Sequence, residues 1–122
     1  MTIQELSNKL FEVRDQIHLW HLQTKSYSEH KALNADYEGV LDLTDQFIET
    51  FQGRNEYISG GLKIIAVDYE KLGQSQTYLK GILTWLQTDA RKLTYALDTD
   101  LNNILDEMQA LTSQTIFLLN LK

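Results

Sequence analysis

Cysteine and proline are both absent from this 122-residue chain. Without thiols there is no disulfide and no thiolate metal centre, so any metal would need imidazole and carboxylate ligands, and a cytoplasmic setting is expected. Without proline, no helix is kinked by a missing N–H. Glycine is scarce as well, six in all, and four of them (Gly53, Gly60, Gly61, Gly73) fall between residues 53 and 73. No apolar run approaches the roughly 18 residues of a bilayer span, so no membrane partner is expected. The start, Met1-Thr2-Ile3-Gln4-Glu5, lacks the basic and apolar segments of a secretory leader. Basic residues are the minority, 11 against 17 acidic for a net charge of −6, and no Lys/Arg cluster offsets this. Direct binding to nucleic acid is therefore not expected. With 43% hydrophobic and 23% charged residues, the composition is that of one globular domain over residues 1–122. A core of this size gains from association with copies of itself.

The hydrophobic residues that are present repeat with helical spacing. Ile3, Leu6, Leu10, Val13, Ile17 and Trp20 form one stripe over about 3–25, opened by a Thr2/Glu5 capping box. A second box at Ser26 and Glu29 opens a helix over roughly 27–52, with Leu33, Tyr37, Val40, Thr44, Phe47 and Phe51 on its stripe and Gly53 as a left-handed stop. The glycine-punctuated segment 53–74 contains Leu62-Lys63-Ile64-Ile65-Ala66-Val67, which is β-branched and suited to an extended path. Periodicity returns over about 75–95 (Leu79, Ile82, Leu86, Leu93) and 99–121 (Leu101, Ile104, Met108, Leu111, Thr115, Leu118). Two short connections around one long one predict an all-α, ferritin-like four-helix bundle, with a long crossover between the second and third helices. Trp20, Trp85, Tyr27 and Tyr37 are expected to pack.

Chemical character is concentrated in the first half. All three histidines, His18, His21 and His30, fall within thirteen residues and are followed by Asp45 and Glu49. His18 and His21 project about 60° apart on the first helix. On the second, His30 and Asn34 lie one turn apart, as do Asp45 and Glu49. Imidazole and carboxylate together suit a borderline divalent metal, with iron the redox candidate and zinc or manganese as substitutes. No nucleotide-binding glycine loop and no nucleophile elbow is present.

The spacing His18, eleven residues, His30, fourteen residues, Asp45, three residues, Glu49 resembles the ferroxidase motif of the Dps-type miniferritins. The last helix, from Asp98-Thr99-Asp100-Leu101 to Ile116-Phe117-Leu118-Leu119, resembles that family's final helix. The resemblance covers about two thirds of the chain. It implies a homo-oligomer, dodecameric in the family, that oxidises and stores ferrous iron or consumes peroxide. It also implies that His18 and His30 come from one subunit and Asp45 and Glu49 from its two-fold neighbour. The chain departs from the pattern in carrying Asn34 where the family has Asp, in placing its Trp at 20, and in lacking glycine over 21–27 and a basic arm. His18, His21, His30, Asn34, Asp45 and Glu49 are thus the candidate metal residues. Of these, His18, His30, Asp45 and Glu49 are the candidates for ferroxidase chemistry. The alternative is a catalytically inert helical module for assembly or protein interaction, in which Asp45 and Glu49 are simply a solvated helix face.

Overall fold

The computed structural model describes residues 1–121, and Lys122 of the expected domain lies outside them. Among those residues the chain is all-α and without strands. It comprises α1 (Ile3–Gln23), α2 (Tyr27–Gln52), α3 (Gln74–Gln87), a 3-10 turn (Asp89–Leu93) and α4 (Thr99–Leu119). The stripes of α1 and α2 are the core: Leu6, Ile17, Trp20, Leu33 and Phe47 are almost wholly buried against Leu79, Leu86, Leu101 and Leu105. On α4 the most buried line is Leu101, Leu105, Met108, Thr112 and Thr115, while Ile104, Leu111 and Leu118 flank it. Gly39 lets α2 approach α4 closely, since a Cβ there would lie 2.7 Å from a Leu111 methyl.

Local chemistry sets most helix boundaries. Thr2 accepts a hydrogen bond from Glu5 N–H at 3.1 Å and Ser26 one from Glu29 N–H at 3.3 Å, the N-cap bonds that each start requires. The return half of the second box is not made. The Glu29 carboxylate instead accepts from the Thr24 hydroxyl, which ties the end of α1 to the start of α2. Gly53 is right-handed, at φ −65° and ψ −23°, not the left-handed stop expected; its N–H closes onto Glu49 O and the chain leaves through a turn. Left-handed backbone occurs at Gly60, Gly61 and Gly73 instead. The third helix stops at Gln87 rather than running to 95. The Arg91 guanidinium donates to the orphan Leu86 carbonyl and also to Asn102 O, Asp106 and Gln109 on α4. This tertiary clamp replaces the bonds a continuing helix would have made. α4 ends at Leu119, two residues before the expected end, and Tyr27 is exposed rather than packed.

The segment between α2 and α3 is an extended strap laid along α1. Asn8 donates to Lys63 O at 2.8 Å and accepts from Lys63 N–H at 2.7 Å. Gln16 treats Val67 in the same way at 2.9 and 2.8 Å, and Trp20 Nε1 adds a bond to Val67 O at 2.8 Å. Gln4 binds Gly61 O and Ser59 N–H, and Gln23 accepts from Tyr69 N–H. From Asn8 to Gln16 a helix advances roughly 12 Å. The four residues from Lys63 to Val67 cover that distance only near full extension, at about 3.3 Å per residue. The side-chain amides of Gln4, Asn8, Gln16 and Gln23, one or two helical turns apart, therefore stand in for the missing neighbouring strand. The strap rises in the direction of α1, so α3 starts at the end of the molecule where α2 starts, with Gln76 bonded to Asn120 just past α4.

Candidate functional site

The antiparallel α1–α2 hairpin brings four of the six candidate residues together. The His21 and His30 rings stack at 3.9 Å with an interplanar angle of 21°, and His18 lies 6.0 Å from His21. Tyr37 completes the cluster, stacked on His18 at 4.2 Å, and its hydroxyl donates to Asn34 Oδ1 at 3.2 Å.

The stacked pair is held by reciprocal bonds. His21 Nδ1 donates to His30 O at 2.9 Å, and His30 Nδ1 donates to His21 O at 2.8 Å. A carbonyl can only accept, so Nδ1 is the donor in both rings, and it is Nε2 that each neutral ring would offer to a ligand. The His21 carbonyl lies in the last turn of α1, where no intrahelical donor remains, so His30 caps that helix from the next one. His21 is buried and His18 and His30 are half-buried. These contacts have a structural function whatever else the rings do.

Asp45 and Glu49 are not part of this cluster. Both are exposed, and Asp45 lies fifteen residues beyond His30, roughly 22 Å along the helix axis. Among the described residues no group of three or more His, Asp or Glu is placed to hold a metal ion. A single chain therefore presents an imidazole patch without the carboxylates.

Two features of this hairpin escaped the sequence reading. Arg14 stands over the Tyr37 ring at 5.9 Å and adds a cation beside His18, with Asp15 as its ion-pair partner at 2.9 Å. The signal was its four-residue spacing from His18. On α2, Asp45 and Glu49 continue a line that begins at Glu38 and Asp42, all four exposed, with no Lys or Arg between Gly39 and Gln52. Like charges one turn apart destabilise a helix by a few tenths of a kcal/mol per pair. The hairpin thus carries an imidazole patch toward one end, and an acidic stripe that starts beside it at Glu38 and runs along α2 toward the other.

Inside the bundle, Asp36 is a buried carboxyl between α2 and α4. Thr115 Oγ1 lies 2.8 Å from its Oδ1 and 3.0 Å from Leu111 O, while Oδ2 has no partner. A hydroxyl has one proton, so both contacts are satisfied together when Asp36 is itself protonated and donates to Thr115. Burial pushes its pKa from 3.8 to about 6, against the lowering effect of Thr115. The Tyr78 hydroxyl is raised too, first by burial and then by Glu12 and Asp36.

Residues 21–119 match the model of a family described as a family of unknown function, DUF5856. No curated protein and no solved structure matches the chain.

Proposed function

The chain belongs to the DUF5856 family of unknown function, and we propose that it is a ferritin-like homo-oligomer that takes ferrous iron as substrate at a site shared between two copies. The observation that carries this reading is the complementarity of the hairpin's two ends. His18, His21 and His30 lie toward one end, and Glu38, Asp42, Asp45 and Glu49 run along α2 toward the other with no Lys or Arg between Gly39 and Gln52. A two-fold pairing of hairpins would set each acidic stripe against the other copy's imidazole patch. The strap that carries the chain back along α1 supports the same reading, because a ferritin-like bundle needs a long crossover at this point.

The donor set fits the ion. Nε2 of His18 or His30 together with the Asp45 and Glu49 carboxylates of a second copy would make a mixed nitrogen and oxygen site suited to ferrous iron, with zinc or manganese able to compete. Bound there, iron would supply one-electron chemistry toward oxygen or peroxide. The protein's own part is to hold the imidazoles in place. His30 is oriented by its Nδ1 bond to His21 O, the outer-shell contact that fixes which nitrogen faces a metal. Asn34, bonded to Tyr37, supplies no charge, so Asn34→Asp should tighten binding.

The second reading, an inert assembly module, is favoured by the mutual locking of His21 and His30, which explains both rings without a ligand. Anaerobic titration with ferrous iron alongside a solution mass separates the two. His18→Ala and Glu49→Ala should each lose iron binding with helical content intact. A refolded mixture of the two variants should regain part of it, because a mixed pair contains one undamaged site. A monomeric mass, or no recovery on mixing, favours the module.

A further inference from the structure

Every backbone group through which the strap bonds to α1 belongs to an odd-numbered residue. These are Ser59 N–H, Gly61 C=O, both groups of Lys63 and of Val67, and Tyr69 N–H. That is the alternation of a β-strand paired along one edge. Among the described residues, the N–H and C=O groups of Leu62, Ile64 and Ala66, which point to the other edge, have no partner. The apolar side chains along this segment are exposed: Leu62 at 44%, Ile65 at 76% and Val67 at 49%. An open edge of this kind is normally protected by proline, a bulge, inward-pointing charge or a covering element. Here no proline occurs, and the sole charge over 62–67 is Lys63.

We propose that two copies of the chain pair through this edge, strap against strap and antiparallel, with Ile65 on the two-fold axis. In that register Ile64 lies opposite Ala66 of the copy, where the free donor and acceptor of each meet those of the other, and Leu62 lies opposite its Asp68, whose N–H is free among the described residues while its carbonyl already accepts from Gln74 at 3.3 Å. Ile65, the most exposed apolar side chain over 62–67, covers its own counterpart, and Val67 covers the stem of Lys63. Charge selects the antiparallel direction, because it sets the Lys63 end of each strap beside the Asp68 end of the other. Charge also favours a copy over the rest of the surface as the place of contact. The chain carries −6 overall, and copies repel except where, as along 62–67, no acidic residue is present. The amide ladder from α1 keeps the strap straight and extended before any partner arrives, which removes much of the ordering cost of strand pairing. This interface uses residues other than those of the shared metal site and stands or falls apart from it.

The chain has no cysteine, so a single introduced thiol can form a disulfide only with another copy. Opposed residues of a non-hydrogen-bonded antiparallel pair have Cα atoms about 4.5 Å apart, within disulfide range. Ile65→Cys should therefore crosslink under mild oxidation at least tenfold faster than Tyr57→Cys, a control at a site of matching exposure (72%). Ile64→Pro deletes the outward N–H and leaves every strap bond to α1 in place. It should raise the dimer dissociation constant at least tenfold by analytical ultracentrifugation, with the far-UV circular dichroism unchanged. Equal crosslinking at 65 and 57 overturns the proposal, even if the proline variant fails to fold, and leaves the edge to a strand of a different protein. A dimer that Ile64→Pro does not weaken overturns it as well.

Discussion

Replacing Asp36 by Asn should stabilise the protein above pH 6 and destabilise it slightly below pH 4. In the folded chain burial raises the pKa of this carboxyl from 3.8 to about 6. Between those values the native state holds a proton that the unfolded chain has released, so stability falls as pH rises through the window. About two pH units at 1.36 kcal/mol each put the full loss at about 3 kcal/mol, complete above about pH 7. Asn keeps the shape of the protonated acid, and its amide can donate to Thr115 while the Thr115 hydroxyl serves Leu111 O. The amide brings one further N–H into the interior, which costs about 1 kcal/mol if it stays unpaired. The net gain at pH 8 is then about 2 kcal/mol, or roughly 8 °C in melting temperature for a domain of this size. At pH 4, where wild type is also neutral, only the cost of the extra N–H remains. Urea denaturation of both proteins from pH 4 to 8 measures this directly, and groups common to both cancel in the difference. A difference that stays flat across the range would refute the assignment of a buried, protonated Asp36. Thr115→Val provides a second check: it removes the contact that lowers the pKa, so the upper limit of the window in which stability is lost should rise while its lower limit stays in place.

Gly81 is exposed in the middle of α3 with nothing within 4 Å of a Cβ placed there, so Gly81→Ala should add about 0.5–1 kcal/mol by thermal melt. Gln16→Ala removes both bonds to the Val67 backbone; hydrogen exchange at the Val67 amide should rise by at least tenfold while the amides of α2 stay protected. Arg54 bridges Asp98 and Asp100 at 3.1 and 2.7 Å and holds Asp100 at about 2, while Asp98 is held below its usual value first by the Tyr95 N–H and then by Arg54. Both groups contribute stability that is present above about pH 4 and lost as pH falls below it, so Arg54→Ala should lower the pH 4–7 plateau without tilting it and flatten the acid limb of a pH titration.

What the sequence made legible follows from which interactions are local. The α1 and α2 stripes and both N-caps depend on residues three and four apart, and they stand within two residues of where their spacing put them. The end of α3 was not legible in that way, because the Arg91 clamp uses acceptors on α4 that are ten or more residues away. Leu93 still has helical spacing from Leu86, so periodicity alone extends the helix too far. For the strap, β-branched residues indicated an extended path but not what would pair with it. That signal lies elsewhere in the chain, in Gln4, Asn8 and Gln16, which stand at multiples of four residues along α1. An amide ridge of this sort reads as ordinary helix surface until a strand is placed beside it.

The same distinction separates the two halves of the candidate site. His18, His21, His30 and Asn34 meet because a short turn folds α1 back on α2, and a turn of that length is visible in the Thr24 to Ser26 segment. Asp45 and Glu49 lie on the same α2, and a rigid helix cannot bring two of its own segments roughly 22 Å apart into one coordination sphere. Spacing in a sequence can therefore identify a ligand set whose members no single chain can assemble. If the four positions act together, geometry requires a second copy. Recovery of iron binding by mixing the His18→Ala and Glu49→Ala chains is thus the decisive measurement, because a site built within one chain gives no route by which two damaged chains could repair each other.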